Sequence, residues 1–204
     1  MAVNKPLATA RAKKAMDAAP RPVRIEIGGL HKRAGWIVTN VNAVTPYYLD
    51  ATRRWPLEDG ACSRVYADNV IEHLPLRAGR AMLAEAYRCL QPGGVIRLVT
   101  PDIRKHVELY LTGSPEVREE VGSYYKQLGL TVEHPVDLVR IPIGSFGHHT
   151  GYVYDFATLR KELEAAGFTG VVSCELNESA HEDLVGIDQR SGESAVQMAV
   201  EATR

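Results

Sequence analysis

The sequence predicts an α/β fold in which a doubly wound, mostly parallel sheet carries helices on both faces. After residue 21, short runs of β-branched residues alternate with patterns that place apolar residues three and four positions apart. Polar residues follow several of the predicted strands, as they do in open α/β sheets that bind ligands at the carboxyl ends of their strands. We therefore expect one globular domain with a binding cleft at one edge of the sheet.

Composition argues against several classes of partner. The chain has 204 residues, with 24 basic and 25 acidic side chains and a net charge of -1. This balance disfavours a nucleic acid held through its phosphates, and no apolar run approaches the ~20 residues that span a bilayer. The three cysteines are widely spaced and form no zinc motif, which favours a reducing, cytoplasmic setting. We expect a small-molecule partner, with no nucleic acid and no membrane.

The chain divides into three parts. Residues 1–20 form a basic, alanine-rich arm that lacks the apolar core of a secretory signal, and we expect it to be mobile or to form one loosely docked helix. Residues 21–190 form the main domain, and residues 191–204 are predicted to be a helical tail. The sequence leaves the oligomeric state open, and the arm and the tail are the candidate elements for a homodimer.

Seven strands are predicted in the main domain. Residues 23–27 form the first strand, closed by Gly28-Gly29, and residues 36–41 form the second. The six-residue link at 30–35 is too short for a crossover helix. The first crossover is therefore abbreviated. The remaining strands are predicted at residues 47–49, 63–68, 95–99, 171–176 and 184–189.

Two amphipathic helices are predicted between these strands. The first covers residues 77–90 and is stopped by Pro92-Gly93-Gly94. The second is capped by Asp155 and stopped by Gly167. Residues 103–150 are more irregular, and we expect them to be a variable, substrate-facing insertion.

Several motifs in the same order resemble the class I methyltransferases that use S-adenosylmethionine, and in particular the short, single-domain "predicted methyltransferase" type. The resemblance extends over residues 23–189 and implies a Rossmann-like sheet. The motifs are Ile25-Glu26-Ile27-Gly28, Asn69-Val70-Ile71-Glu72-His73-Leu74, Arg88-Cys89-Leu90-Gln91-Pro92-Gly93-Gly94, Thr100-Pro101-Asp102 and Leu163-Glu164-Ala165-Ala166-Gly167-Phe168.

The resemblance implies S-adenosylmethionine as cofactor and S-adenosylhomocysteine as product. It assigns the adenine amino group to Asp50, and the methionine end of the cofactor to Asp68 and Asn69. Glycine at the end of the first strand allows a close approach of backbone to cofactor, and Glu26 could pair with the ammonium group. The implied cofactor-binding residues are Glu26, Gly28, Gly29, Asn40, Asp50, Asp68 and Asn69.

Two positions depart from the family pattern. Leu30 stands where a second glycine is usual, and it is expected to narrow the space beside the cofactor. Asn40 stands where an acidic residue usually accepts the ribose hydroxyls. An amide lacks the charge-assisted part of that interaction, so weaker cofactor binding is expected.

The candidate catalytic residues are Glu72, His73 and His148. Imidazole is the side chain most easily poised as a base near neutral pH, although His73 could also be a helix-start residue that packs on the sheet edge. His148 and His149 lie in the loop before the last helix, and at most one of them is expected to be functional. No metal site is expected, because Asn69 stands where some phenolic O-methyltransferases have an acidic residue, three positions before the Glu-His pair, that completes a metal site.

The leading hypothesis is a methyltransferase that acts on an oxygen or nitrogen of a small acceptor, such as a sugar or a natural product. Tyr110, Tyr124, Tyr125, Tyr152 and Tyr154 are candidates for an aromatic acceptor pocket. The alternative is a non-catalytic binding or scaffolding protein of the same fold, with an occluded cofactor cleft. A nicotinamide-dependent dehydrogenase is disfavoured, because the Gly-x-Gly-x-x-Gly fingerprint is missing.

Overall fold

The computed structural model describes residues 5–42, 45–189 and 193–204, which form one six-stranded sheet and six α-helices. The strands are β1 Val23–Ile27, β2 Ile37–Thr39, β3 Cys62–Asp68, β4 Leu90–Pro101, β5 Thr169–Cys174 and β6 Gln197–Thr203. The helices are α1 Lys5–Ala18, α2 Leu76–Cys89, α3 Ile103–Thr112, α4 Pro115–Gln127, α5 Asp137–Gly144 and α6 Phe156–Ala165.

The strand order across the sheet is β2-β1-β3-β4-β6-β5. Strands β1 to β4 run parallel to one another, whereas β6 runs antiparallel to both β4 and β5. Ile27 pairs with Ala67, which in turn pairs with Leu98. The carboxyl ends of β1, β3 and β4 therefore lie side by side, where this type of sheet binds ligands.

The mixed α/β class is confirmed, but seven strands are not found in the described part of the chain. The predicted third strand contributes only an isolated bridge between Asn40 and Tyr48. Residues 184–189 are not a strand, since Glu182–Leu184 form a 3₁₀ turn and the chain after it is irregular.

The predicted helical tail is wrong, because β6 occupies most of it and lies between β4 and β5. Its Ala, Gln, Glu and Met residues are good helix formers, yet pairing with two strands overrides that preference. Gln197 to Ala202 are all buried in this position. The segment is therefore part of the core and is not a free element for dimerisation.

Among the described residues, helices α2 and α6 pack on one of the two sheet faces. Met82 and Leu83 of α2 and Leu159 and Leu163 of α6 belong to the large core on that face. The opposite core joins Tyr66, Val95, Val99 and Ala199 of the sheet to Leu184 and Ile187. In the described part of the chain no α-helix joins this second core, because the short link between β1 and β2 contains no helix and the irregular segment 175–189 covers that face.

A buried ion cluster fixes this irregular cover to the sheet. The guanidinium of Arg97 on β4 donates to the carboxylates of Asp188 and Glu201, and also to the carbonyl oxygens of Glu175 and Glu178. Arg97 is fully buried. The cluster therefore replaces part of the apolar packing that a helix would supply.

Several other predictions agree with the structure. The strand at 23–27 has the predicted bounds, and α2 and α6 lie at the predicted places. The Asp155 side chain caps α6 by accepting a hydrogen bond from the backbone nitrogen of Thr158 at 2.7 Å. The basic arm forms α1, whose Met16 enters the main core. Among the described residues, no helix is long and apolar enough to cross a membrane.

Residues 103–150 contain α3, α4 and α5, which have a small core of their own. Helix α3 begins directly after β4, and the Asp102 side chain caps it by accepting from the backbone nitrogen of Arg104. This segment therefore lies at the carboxyl end of the sheet, beside the ends of β1 and β3.

Candidate functional site

A cavity of about 260 Å³ opens at the carboxyl ends of β1, β2 and β3. We call it the glycine cavity, because its floor includes the turn that follows β1. Its walls combine polar and apolar groups, among them Gly28, Asn40, Asp50, Ala51, Asn69, Val70 and His73.

Gly28 requires the absence of a side chain on two grounds. Its φ angle is +79°, a region that other residues rarely adopt. A Cβ atom there would also lie 2.3 Å from a methyl carbon of Val70. The turn after β1 can therefore approach the residues that follow β3, which closes one side of the cavity.

Asn40 holds this turn in place. Its Nδ2 atom donates to the carbonyl oxygens of Gly28, at 2.7 Å, and Gly29, at 3.2 Å. Its Oδ1 atom accepts from the backbone nitrogen of Asn42. The amide thus uses both its donor and its acceptor character within the protein.

Asp50 lies on the opposite wall of the glycine cavity. Its carboxylate accepts hydrogen bonds from the backbone and hydroxyl of Thr52 and from Arg53. Partial burial raises the pKa of Asp50, but these hydrogen bonds together lower it by a larger amount. The pKa of Asp50 therefore lies below its ordinary value. Asp50 is therefore an ionised hydrogen-bond acceptor at neutral pH.

A second cavity of about 330 Å³ lies between the sheet ends and helices α4 and α5. We call it the aromatic cavity, because Tyr124, Tyr125 and Phe146 line it. Asn69 and His73 line both cavities. These two residues therefore form a shared wall between two binding spaces.

Three side chains cluster at this wall. Glu72, His73 and His148 each offer one nitrogen or oxygen atom, and these atoms all lie within 4.8 Å of one another. Glu72 is fully buried, His148 is nearly so and His73 is exposed. The rings of His73 and His148 have centroids 4.6 Å apart.

Backbone and side-chain contacts orient the two buried members of this cluster. Nδ1 of His148 lies 2.7 Å from the carbonyl oxygen of Pro142, which can only accept, so Nδ1 carries the proton. Nε2 of His148 is then a base or ligand atom. Burial lowers the pKa of His148, which favours this neutral form. Oε2 of Glu72 accepts from the hydroxyl of Thr100 at 3.0 Å.

The loop that carries His148 packs closely against the backbone of Glu72. The nitrogen of Tyr152 donates to the Glu72 carbonyl oxygen at 3.1 Å. A Cβ atom on Gly151 would lie 1.9 Å from the same oxygen. A glycine at this position therefore sets the distance between His148 and Glu72.

Known proteins share this architecture. Residues 31–98 match the family model of a methyltransferase domain. A SAM-dependent methyltransferase from Archaeoglobus fulgidus aligns over 98% of this chain and 95% of its own, with 16% identity and a TM-score of 0.51. The CurJ carbon methyltransferase aligns over 100% of this chain, with 18% identity and a TM-score of 0.50.

The chain has the class I methyltransferase fold. It spans 55% of the length of the CurJ carbon methyltransferase. No curated protein matches it in sequence.

Within this methyltransferase fold, the glycine cavity brings together four of the predicted cofactor-binding residues, namely Gly28, Asn40, Asp50 and Asn69. The other three, Glu26, Gly29 and Asp68, are not among its lining residues. The carboxylate of Glu26 accepts from Arg33 at 2.8 Å, and that of Asp68 accepts from the Tyr66 hydroxyl and the Gln189 backbone nitrogen. Both carboxylates therefore have structural contacts.

Leu30 does not narrow the cavity of the methyltransferase fold. Its side chain is 66% exposed and lies outside the cavity lining. The expected obstruction beside the cofactor is therefore wrong, because the turn after Gly28-Gly29 directs Leu30 toward solvent.

Of the candidate tyrosines, Tyr124 and Tyr125 line the aromatic cavity. Tyr110 is exposed, and Tyr154 is part of the main core. His149 is exposed and outside the cavity lining, so only one of the adjacent histidines reaches the site.

Sequence reasoning missed Thr100, Pro142, Phe146, Gly151 and Glu193, which line or support the site of the methyltransferase fold. Thr100 lies at the end of β4, within the recognised Thr100-Pro101-Asp102 motif, and Phe146 lies two residues before His148. This proximity to recognised residues was the available signal. No local pattern marked Glu193, which lies shortly before β6 in the chain and reaches the aromatic cavity only through the fold.

Proposed function

We propose that this protein transfers a methyl group from S-adenosylmethionine to an oxygen or nitrogen of a small acceptor. The cofactor occupies the glycine cavity and the acceptor occupies the aromatic cavity. The single observation that carries this proposal is the wall shared by the two cavities, which Asn69 and His73 form. A reacting methyl group at that wall would face both ligands.

The methyl donor follows from the family match and from the chemistry of the glycine cavity. Asp50 is an ionised acceptor suited to an adenine amino group. Within the described residues, the buried Oδ1 of Asn69 has no hydrogen-bond donor. Since a buried polar atom without a partner costs ~1 to 3 kcal/mol, a donor group of a bound ligand would stabilise it.

The reaction breaks the bond between the methyl carbon and the sulfonium sulfur and forms a bond from that carbon to the acceptor atom. S-adenosylhomocysteine leaves, and the acceptor loses a proton. Nε2 of His148 is the proposed proton acceptor, because Nδ1 already donates to Pro142. Glu72 and His73 complete the polar wall, and the protein contributes mainly by positioning the reactants.

The acceptor is proposed to be an apolar or aromatic molecule with one hydroxyl or amino group. Tyr124, Tyr125 and Phe146 offer ring faces and edges for its body. Asn69 and His73 of the shared wall, together with His148, provide polar groups for its hydroxyl or amino group. We further propose a cytoplasmic location, supported by Cys62, Cys89 and Cys174 being outside any disulfide.

The alternative, a non-catalytic binding protein, requires an occluded cofactor cleft. The glycine cavity instead reaches the surface at Val41, whose side chain is 59% exposed. This opening favours the enzyme.

Calorimetric titration with S-adenosylhomocysteine tests the proposal. We expect saturable binding to the wild type, a loss of at least tenfold in affinity for Val41→Trp, which places a large ring at the cavity mouth, and no loss for Leu30→Trp. Leu30 is the matched control, since it is equally exposed but lies outside the lining. Absence of binding at millimolar ligand, or an equal loss in both variants, would overturn the proposal.

A further inference from the structure

We propose that Glu72, His73 and His148 bind one divalent metal ion of the zinc class at the wall shared by the two cavities. No part of the sequence pattern predicted this site. Glu72 and His73 are adjacent in the chain, whereas His148 reaches them from a distant loop, so no local motif contains all three ligands.

The donor set fits the ion. Two imidazoles and one carboxylate form a three-ligand set found in catalytic zinc sites, which keep a further position open for water or substrate. Zinc lies ~2.1 Å from nitrogen and oxygen ligands, so two ligand atoms of a tetrahedral site are ~3.4 Å apart. The atoms of this cluster lie within 4.8 Å of one another. Side-chain rotations that bring these atoms closer by up to ~1.4 Å would complete the tetrahedral coordination.

The outer contacts are those that metal ligands typically have. A ligating histidine usually donates its other ring N–H to a carbonyl or carboxylate, which fixes the ring and its tautomer. His148 does this through Nδ1 and the carbonyl oxygen of Pro142 at 2.7 Å. Glu72 is likewise oriented through Oε2, by the hydroxyl of Thr100. Both ligands are thus held in place by the protein itself.

Burial gives a second and independent argument. Glu72 is 0% exposed, and His148 is 5% exposed. This burial restricts the motion of both side chains, so two of the three proposed ligands are already confined near the site. Exposed His73 borders both cavities and leaves the ion accessible from solvent.

The ion would have a direct consequence for catalysis, and this consequence rests on the function proposed above. Its open position would face the aromatic cavity, where an acceptor hydroxyl could bind. Coordination lowers the pKa of a bound hydroxyl or water. The acceptor would then lose its proton to solvent, and His148 would act as a ligand and no longer as the base.

Metal titration of the untagged, chelator-treated protein tests the site. Zinc affinity is measured by competition with a chromophoric chelator, and cobalt is used as a spectroscopic probe. We expect one ion per chain and a visible cobalt spectrum of low coordination number. His148→Gln and Glu72→Gln should each weaken binding by at least tenfold, whereas the adjacent, exposed His149→Gln should not change it.

Folding is checked by circular dichroism and thermal unfolding. If Glu72→Gln does not fold, His73→Gln serves as the second ligand variant, because His73 is exposed. The site is overturned if the wild type takes up no ion, or if a folded His148→Gln or His73→Gln variant binds zinc like the wild type.

The metal site and the proposed function can fail separately. Titration of the metal-free protein with S-adenosylhomocysteine reports on the cofactor alone. Cofactor binding without zinc binding overturns the metal site and leaves methyl transfer in place. Zinc binding without cofactor binding overturns the proposed function and leaves the metal site in place.

Discussion

The Nδ2 atom of Asn40 lies 2.7 Å from the carbonyl oxygen of Gly28 and donates a hydrogen bond to it. Because the same nitrogen also reaches the Gly29 carbonyl, an amide is required here for the protein's own structure. A carboxylate could not donate to either oxygen. An amide at position 40, where the family usually has an acidic residue, therefore has a structural reason that does not involve the cofactor.

Asn40→Asp is expected to weaken S-adenosylhomocysteine binding by about tenfold, even though it restores the acidic residue usual in the family. The new carboxylate would face two carbonyl oxygens, and the loss of the donor would cost ~1 to 2 kcal/mol. Calorimetry measures the affinity. Asn42→Asp is the matched control, since the Asn42 Oδ1 atom accepts from Thr45 and an aspartate can do the same. Tighter binding by Asn40→Asp would show that the ribose contact dominates.

Gly151→Ala is expected to lower the rate of methyl transfer at least tenfold with a smaller effect on cofactor affinity. The added methyl group would meet the Glu72 carbonyl oxygen at 1.9 Å and push the His148 loop away from Glu72. Single-turnover rates and cofactor titrations separate the two effects. Gly144→Ala is the control, because its added methyl group meets nothing within 4 Å. Equal rates for the two variants would contradict the positioning role of Gly151.

Arg97→Met is expected to reduce the free energy of unfolding by ~3 to 5 kcal/mol, because it leaves the carboxylates of Asp188 and Glu201 buried without their cation. Urea unfolding measures the change. Arg160→Met removes an exposed ion pair with Glu164 on α6 and should cost less than ~1 kcal/mol. A similar, small effect of both substitutions would mean that the cover of the sheet does not depend on the ion cluster.

The free energy of unfolding is expected to decrease as the pH is lowered from about 6.5 to about 4, in part through His106. Burial lowers the pKa of His106 from its ordinary 6.5 to about 4. The unfolded chain therefore takes up the proton first, so the contribution is complete above pH 6.5 and is lost as pH falls. The shift corresponds to about 3 kcal/mol at most.

His106→Asn tests this contribution, because its amide nitrogen can replace the Nδ1 donor to the Leu138 carbonyl without titrating in this range. The ring of Tyr125 stacks on His106, and buried His148 acts on it electrostatically. We expect a lower overall stability and a shallower pH dependence in urea unfolding. Exposed His149→Asn should keep the wild-type slope. An unchanged slope in His106→Asn would assign the pH dependence to other groups.

Local patterns predicted much of the fold. The β-branched run at Val23–Ile27, the apolar stripe of α2 and the cap at Asp155 each depend on a few neighbouring residues. Strand β6 could not be predicted in this way, because its helix-forming residues become a strand only by pairing with β4 and β5. The cover at Ile187 depends similarly on an ion pair between Arg97 and Asp188, which are far apart in the chain.

The site likewise combines residues that lie in local sequence motifs with residues that only the fold brings together. Gly28, Asn69 and His73 lie in motifs that the sequence displays, and the structure places all three at the glycine cavity. The approach of His148 to Glu72 instead depends on how residues 103–150 fold and on the contact of Gly151 with the Glu72 backbone. The pairing of Glu26 with Arg33 required knowing the path of the short link after β1.

The most direct test of the account is a crystal structure of the protein with S-adenosylhomocysteine. We predict the adenine beside Asp50 in the glycine cavity and the sulfur at the wall formed by Asn69 and His73, directed toward the aromatic cavity. A ligand bound elsewhere on the chain, or a sulfur directed away from that wall, would contradict it.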